Sequence, residues 1–315
     1  MHTHAVDTLS GVREQPVVAV VGPTAAGKSD LAVDMALRLG GEVLNADSMQ
    51  LYRGMDIGTA KLSKTEMRGI PHHLLDIWDI RRTASVAEYQ RLARPLLDRL
   101  LARGVTPILT GGSGLYVRAA LDDLEFPGTD PLIRARLEAE LDKTGPAPLY
   151  ERLRELDPAA AGNILPSNGR RVVRALEVIE LSGRPFSATM PSYDAVYPNV
   201  QIGVEMPRPL LDERIELRVE RMWAAGLVDE VRGLDREGLA QGRTASRALG
   251  YAQVLRHLSG EWTEQRAKEE TIRATRRFAR RQESWFRRDP RVVWLPGDAP
   301  DLLEQALDLL GETAR

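Results

Sequence analysis

Eight consecutive residues near the N-terminus carry the most specific chemical pattern in the chain. They satisfy the phosphate-loop pattern G-x-x-x-x-G-K-S/T at every required position, and they are Gly22, Pro23, Thr24, Ala25, Ala26, Gly27, Lys28 and Ser29. In such a loop the backbone N–H groups surround phosphate oxygens, while the lysine adds a positive charge and the hydroxyl binds Mg²⁺. The pattern therefore predicts a diphosphate or nucleotide site, with Lys28 as its cation and Ser29 as its metal ligand.

The segments on both sides of this loop predict that it joins a buried strand to a helix. Val17–Val21 is a short β-branched run of the kind that is buried on both faces of a parallel sheet. After the loop, apolar residues recur at helical spacing from Leu31 to Leu39. A helix that begins at the loop directs its positive end at a bound anion. This context makes a chance match in a flexible loop the weaker alternative.

Polar residues also follow two other predicted strands. The strand Glu42–Ala46 runs into Asp47, and the strand Thr106–Leu109 runs into a glycine pair and Ser113. Because ligands bind beyond the carboxyl ends of strands in an open parallel sheet, Asp47 is in a position to take part in chemistry, and the backbone beside Ser113 can be approached closely by a ligand. The alternatives are a helix cap for Asp47, which is compatible with chemistry, and a tight strand-to-helix turn at Ser113.

Composition excludes several classes of site and partner. The chain has 315 residues, a net charge of −2 and no cysteine, so disulfides, thiolate metal sites and cysteine nucleophiles are excluded. No apolar run approaches the roughly 18 residues that indicate a membrane span. Residues 1–15 lack a signal-peptide pattern, and we expect a disordered leader and a cytoplasmic protein. His72 and His73 are adjacent without a second ligand cluster, which favours loop-fixing groups over a metal site.

The order of the predicted elements indicates an α/β fold with two parts. Residues 16–117 and 201–315 are predicted to form a P-loop NTPase-like parallel-sheet core, in which a strand begins near Gln201 and a last strand ends near Leu295. Nothing between residues 118 and 200 has the pattern of a parallel-sheet strand, and helical spacing recurs there. We therefore expect a helical insert domain over 118–200.

Near the C-terminus, one predicted helix separates arginines from apolar residues. At 100° per residue, one face holds Arg273, Arg276, Arg277, Arg280, Arg281, Arg287 and Arg288, and the other holds Ile272, Phe278, Ala279, Trp285 and Phe286. A docked apolar side and an outward row of arginines suit a nucleic-acid backbone. The alternatives are a salt-bridged solvated face or an acidic protein partner. Arginine in place of lysine, with few acids between, favours RNA.

Several motifs together resemble the bacterial tRNA dimethylallyltransferases. They are GPTAAGKS at 22–29, NADSMQLYRGMDIGTAK at 45–61, PHHLLD at 71–76, GGSGLY at 111–116, RRVVRALEV at 170–178, RIELRVERM at 214–222, LGY at 249–251 and ATRRFARRQ at 274–282. The resemblance runs from about Pro16 to about Leu295. The chain departs from the family pattern at Ser113, where Thr is usual, and at Arg170, where Gln is usual.

This resemblance implies an activity and a set of functional residues. The family transfers a dimethylallyl group from dimethylallyl diphosphate to N6 of adenosine 37 in the tRNA anticodon stem-loop, with Mg²⁺ as cofactor, and we expect a monomer without membrane contact. The implied catalytic residues are Asp47, Ser113, Arg218 and Lys28. The implied tRNA contacts are Asp47, Ser48, Met49, Gln50, Ser113, Arg134, Arg170, Arg171, Arg174, Arg247, Gly250, Tyr251, Arg276, Arg277, Arg280 and Arg281. For Arg171 and Arg174, spacing alone favours a solvated helix side.

Functions of other classes also fit parts of the pattern. A small-molecule or nucleoside kinase needs the phosphate loop and Mg²⁺, but it has no use for a long basic helix. A non-catalytic RNA-binding module would use the helix and keep a vestigial loop. A prenyltransferase that acts on free AMP or ATP would likewise leave the arginines without a role.

Overall fold

The computed structural model describes residues 15–189 and 193–313, so nearly all of the predicted leader lies outside the described residues. The chain divides into two compact units. The core unit comprises the chain up to Leu121 and from Ala195 onward, and the insert unit comprises Asp122–Asp194. The predicted insert, residues 118–200, is longer than this unit at both ends.

One parallel sheet forms the centre of the core unit. Its strands are β1 (Val17–Val21), β2 (Glu42–Asn45), β3 (His72–His73), β4 (Pro107–Gly111), β5 (Asn199–Glu205) and β6 (Val292–Pro296). The spatial order is β3-β2-β4-β1-β5-β6, and every described strand pair is parallel. All five residues of β1 are buried, as expected for a β-branched strand covered on both faces. The predicted α/β fold with a parallel-sheet core is confirmed.

Twelve α-helices accompany the six strands in the described residues. They are α1 (Lys28–Leu39), α2 (Val86–Ala102), α3 (Gly114–Leu121), α4 (Pro131–Thr144), α5 (Pro146–Leu156), α6 (Pro158–Gly162), α7 (Gly169–Ser182), α8 (Arg208–Ala224), α9 (Leu227–Arg236), α10 (Tyr251–Leu258), α11 (Glu264–Phe286) and α12 (Leu302–Thr313). No helix of the described residues is both long enough and apolar enough to cross a bilayer.

The insert unit is helical, as its sequence predicts. Helices α4 to α7 enclose an apolar cluster of their own that includes Leu137, Leu153 and Leu176. Asp130 begins α4 by accepting hydrogen bonds from the N–H groups of its first turn, which is the usual role of aspartate before a helix. A separate apolar cluster is what allows these helices to form a compact unit.

The structure corrects two local predictions. His72 and His73 lie in the edge strand β3, since their backbone pairs with Val43 and Leu44 of β2, and they are not loop residues. No helix begins between Ala46 and Lys61, because that segment consists of turns, bends and a single bridge at Tyr52. Asp47 therefore cannot act as a helix cap.

Candidate active site and arginine face

The phosphate loop lies between β1 and α1, as its pattern predicts. Gly22 adopts a φ of 133°, and a Cβ there would lie 2.5 Å from the carbonyl oxygen of Val204. Gly27 also has a positive φ, 100°, immediately before α1 begins at Lys28. Both positions need glycine because other residues rarely adopt this conformation. The backbone N–H groups thus meet at the positive end of α1, where an anion is stabilised.

Two cations accompany this loop. Lys28 is half-buried, and its Nζ donates a hydrogen bond to the Pro23 carbonyl oxygen at 2.6 Å. Burial and the nearby Arg218 lower the pKa of Lys28 to about 7, and Asp47 partly opposes this shift. Burial also lowers the pKa of Arg218, which stays charged, against the opposing effects of Asp47 and Asp30. Two crowded cations favour a bound anion, which restores the charge on Lys28.

The lowered pKa of Lys28 gives a prediction for pyrophosphate binding. At about pH 8 the free lysine is mostly neutral, whereas the bound anion favours its charged form, so binding should take up about one proton. The affinity should consequently fall as the pH rises above about 7. Calorimetry without Mg²⁺, in two buffers of different ionisation enthalpy, measures the uptake. Because pyrophosphate itself titrates, the test is the difference from Lys28→Met, and an equal uptake by both proteins would contradict the prediction.

Asp47 is held in a turn directly after β2. Its backbone N–H donates to Asn45 Oδ1 at 2.8 Å, and its Oδ1 accepts from the Met49 N–H at 2.9 Å. Its other carboxylate oxygen, Oδ2, has no hydrogen-bond partner among the described residues. One oxygen therefore fixes the turn, while the half-buried carboxylate keeps a second oxygen for a ligand.

The sheet brings Ser113 to the same edge as Asp47. β2 and β4 are neighbours, and Asn45 pairs with Thr110 in register, so the turns that follow them are adjacent. Ser113 Oγ accepts from the Ser48 N–H at 3.2 Å and lies 3.3 Å from Ser48 Oγ. The hydroxyl is thereby oriented by the residue next to Asp47.

A metal site built from protein alone is absent from the described residues. No group of three or more His, Cys, Asp or Glu side chains is placed to hold an ion there. Ser29 is half-buried in the first turn of α1. Mg²⁺ is commonly bound through few protein oxygens together with phosphates and water. The single Ser29 hydroxyl therefore fits a Mg²⁺ ion whose other ligands are diphosphate oxygens and water.

The predicted RNA contacts at residues 48–50 belong to a well-fixed segment. Gln50 donates from Nε2 to the Thr59 carbonyl oxygen at 3.1 Å, and Lys61 binds Asp56 and Asp76 at 2.6 and 2.5 Å. Ser48, Met49 and Gln50 are half-buried, so part of each side chain remains accessible. This hydrogen bond and these ion pairs hold the turns around Asp47 in place.

The structure gives Tyr251 a packing role that differs from its predicted RNA contact. Its side chain is wholly buried, and its hydroxyl donates to Glu230 Oε1 at 2.5 Å. The same carboxylate accepts a hydrogen bond from the Ile57 N–H at 2.8 Å. Glu230 thus connects α9 and α10 to the turns between Ala46 and Lys61. Gly250, with a φ of 85°, is also buried, whereas Arg247 is exposed. Of these three predicted contacts, only Arg247 presents its side chain to solvent.

The arginine face of α11 is narrower than the helical wheel predicts. Arg277, Arg280 and Arg281 are exposed and form no ion pair with another described residue. Arg276 is half-buried and binds Glu216 at 2.6 Å and the Asp212 carbonyl oxygen at 3.1 Å. Arg276 is therefore not part of the exposed face, because Asp212 and Glu216 of α8 lie beside it and accept its hydrogen bonds.

The arginines at the two ends of this face are also paired, Arg273 within α11 and Arg287 with a residue of β5. Arg273 pairs with Glu270 at 2.9 Å, and Arg287 pairs with Glu205 at 2.5 Å. Trp285, predicted to lie on the docked side, is 39% exposed. Three arginines, 277, 280 and 281, therefore form what we call the free arginine face.

Arginines of the insert unit fall into two groups. Arg170 and Arg171 are exposed at the start of α7. Arg134 and Arg174 both bind the carboxylate of Glu177, whose side chain is fully buried. Burial acts to raise the pKa of Glu177, but the two guanidinium groups outweigh it and lower that pKa. Arg134 and Arg174 thus stabilise the unit, which limits the RNA contact predicted for them.

One residue of the site, Gln282, has no role in the prediction from sequence. It lies on α11, is 5% exposed, and bonds both Thr24 of the phosphate loop and Gly112 beside Ser113, each at 2.9 Å. A glutamine on the apolar side of an amphipathic helix is the signal that could have identified it.

Comparisons with known proteins agree on one family. The family model described as IPP transferase matches residues 50–289. The chain is 68% identical to the tRNA dimethylallyltransferase of Thermobifida fusca over 301 residues, which cover 94% of each chain. It is 70% identical to the tRNA dimethylallyltransferase of Streptomyces coelicolor over 288 residues, which cover 91% of this chain and 92% of that one.

Solved structures agree with this result. The tRNA isopentenylpyrophosphate transferase of Bacillus halodurans is 40% identical, with a TM-score of 0.71, over 95% of this chain and 98% of that chain. A eukaryotic dimethylallyltransferase acting on tRNA shares the fold at a TM-score of 0.78 and 24% identity, over 90% of this chain and 74% of that chain. The family match and the bacterial identities confirm the resemblance predicted from the motifs: the chain belongs to the IPP transferase family.

Proposed function

We propose that this chain transfers a dimethylallyl group from dimethylallyl diphosphate to N6 of adenosine 37 in tRNA and releases diphosphate. The observation that carries the proposal is the convergence of a phosphate loop, two half-buried cations and one carboxylate with an unpartnered oxygen at a single sheet edge. Membership of the IPP transferase family and the names of the bacterial relatives support the same reaction.

The donor half of the site neutralises the leaving group. Cleavage of the allylic C–O bond leaves its electron pair on the diphosphate, so positive charge near those oxygens lowers the barrier. Lys28, Arg218 and the loop N–H groups supply this charge. Mg²⁺ held by the Ser29 hydroxyl and the diphosphate would add further positive charge when bound.

The acceptor half prepares the amine. The N6 lone pair of adenine is delocalised into the ring, so N6 is a weak nucleophile and needs a strong electrophile. As the C–N6 bond forms, N6 loses a proton, and Asp47 accepts it on the oxygen that is not used in its turn. Ser113 orients the amine or the diphosphate through its hydroxyl.

Binding of tRNA is proposed for the free arginine face and, in the insert unit, for Arg170 and Arg171. Adenosine 37 is stacked in the anticodon loop, so it must be flipped out to reach Asp47. Ser48, Met49 and Gln50, beside Asp47, would then contact the flipped base. We further propose that the protein acts as a monomer in the cytoplasm, where its proposed substrate, tRNA, is found.

The direct alternative is a kinase that uses the same loop. Pure protein should transfer label from dimethylallyl diphosphate into bulk tRNA, and it should not transfer the γ-phosphate of ATP to tRNA or to nucleosides. Label arriving only from ATP would favour the kinase. Binding of tRNA without release of diphosphate would instead favour a non-catalytic RNA-binding module.

Charge reversal on the free arginine face should weaken tRNA binding and change its salt dependence. For Arg277→Glu with Arg281→Glu, the slope of log affinity against log salt should become shallower by about 0.7 to 0.9 for each RNA phosphate that is no longer neutralised. Filter binding over a salt series measures the slope. Arg91→Glu with Arg99→Glu, two exposed arginines on α2, is the matched control and should keep the wild-type slope. An unchanged slope in the α11 variant would mean that this face does not meet RNA.

A further inference from the structure

The side chain of Gln282 joins two loops of the proposed active site to the arginine helix. Its Oε1 accepts a hydrogen bond from the Thr24 N–H at 2.9 Å, and its Nε2 donates to the Gly112 carbonyl oxygen at 2.9 Å. The residue is 5% exposed, so water has little access to either bond. Both ends of one buried amide are therefore used, one on the donor side of the site and one on the acceptor side.

Helix α11 packs closely against the two glycines on either side of Ser113, Gly112 and Gly114. A Cβ at Gly112 would overlap the amide nitrogen of Gln282, and a Cβ at Gly114 would overlap the indole of Trp285. Gln282 and Trp285 are three residues apart, so they lie on the same side of the helix. Helix α11 thus packs against the loop both before and after Ser113, in the space that the absent side chains leave.

The same helix carries the free arginine face. Arg280 and Arg281 are exposed, and the next residue, Gln282, is buried against the two loops. A helix is stiff over this distance, because its backbone hydrogen bonds close every turn. The segment proposed to meet RNA is therefore the segment that holds Thr24 and Gly112.

We infer that Gln282 is a positioning residue that fixes the phosphate loop and the Ser113 loop to the arginine helix, and so sets the spacing between the diphosphate donor and the incoming amine. The inference rests on the proposed function. It assigns Gln282 no contact with substrate, since both polar ends of its side chain are bonded within the protein. Reacting atoms need near-contact geometry, and a displacement of about 1 Å can cost roughly 10²-fold in rate.

Replacement of Gln282 by methionine tests this role. Gln282→Met keeps the length of the side chain but loses both hydrogen bonds, so the single-turnover rate at saturating substrates should fall about 10- to 100-fold. Affinity for inorganic pyrophosphate should weaken about 3- to 10-fold, because Thr24 loses its anchor. Affinity for tRNA should stay within about 2-fold of wild type, since the free arginine face is unchanged. Gln265→Met, at an exposed glutamine of the same helix, should change none of these quantities.

A double-mutant cycle tests the contact with Gly112 separately. Gly112→Ala should slow transfer, because the methyl group would displace the Gln282 amide. The nearest atom outside Gln282, the Gly22 carbonyl oxygen, would lie at an ordinary 3.6 Å from the added Cβ. In the Gln282→Ala background the methyl group has room. The double variant should therefore be no slower than Gln282→Ala alone, which is the non-additive result expected of residues in contact.

The outcomes separate this inference from the proposed function. A folded Gln282→Met protein with the wild-type rate and pyrophosphate affinity would overturn the inference, and so would parallel losses of rate and tRNA affinity. If Gln282→Met does not fold, Gly112→Ala supplies the test, and a wild-type rate for that variant overturns the inference. A wild-type protein that transfers no dimethylallyl group refutes the proposed function instead, and the pyrophosphate affinities then decide the role of Gln282.

Discussion

Asp47→Asn should slow dimethylallyl transfer by roughly 10²- to 10⁴-fold, the usual contribution of a positioned general base, with little change in thermal stability. An asparagine oxygen can still accept the hydrogen bond from the Met49 N–H that holds the turn. It cannot take up the proton that N6 loses. The substitution therefore separates the two functions of this side chain, because the turn needs only an acceptor and the chemistry needs a base.

The measurement is a single-turnover rate at saturating tRNA and donor, together with a thermal melt. Asp47→Ala is the comparison, because it loses the turn bond as well and should cost about 1 kcal/mol of unfolding free energy. A near-wild-type single-turnover rate in Asp47→Asn would contradict the assignment of Asp47 as the general base. Asp47 would then be at most a hydrogen-bonding anchor for the flipped adenine.

Lys28→Ala should reduce turnover by about 10²- to 10³-fold, the size of effect seen when one preorganised group that stabilises developing charge is removed. The affinity for tRNA should remain nearly intact, since Lys28 lies in the phosphate loop and the free arginine face lies on α11. Steady-state kinetics and filter binding give the two quantities.

Lys143→Ala, at an exposed lysine near the end of α4, is a suitable control and should keep the wild-type turnover at saturating substrates. Equal losses of turnover and tRNA affinity in a folded Lys28→Ala protein would show that the donor site and the RNA site are not separate.

Local patterns in the sequence predict the features that local physics determines. The phosphate loop follows from its spacing and from the buried run Val17–Val21, which becomes the fully buried strand β1. The rule that ligands bind beyond strand ends also placed Asp47 and Ser113 on one edge, because β2 and β4 are neighbours in the sheet. These predictions need only periodicity and the order of the strands.

Interactions between distant segments leave no such pattern. The helical wheel assigns Arg276 and Arg287 to an exposed face, but their acceptors Glu216 and Glu205 lie 60 and 82 residues away in the chain. Gln282 binds Thr24 across 258 residues. No spacing within α11 encodes these partners, since tertiary packing alone brings them together.

The proposed reaction ends with the dimethylallyl group on N6 of adenosine 37, and mass spectrometry of RNA nucleosides tests this outcome most directly. An anticodon stem-loop that contains adenosine 37 is incubated with pure protein, Mg²⁺ and dimethylallyl diphosphate, then digested to nucleosides; a second stem-loop carries guanosine at that position. We expect one dimethylallyl-adenosine per modified adenosine-37 loop, matched by one diphosphate released, and no product from the guanosine loop. Absence of the modified nucleoside from the adenosine loop under saturating substrates, or equal modification of both loops, would contradict the proposed reaction.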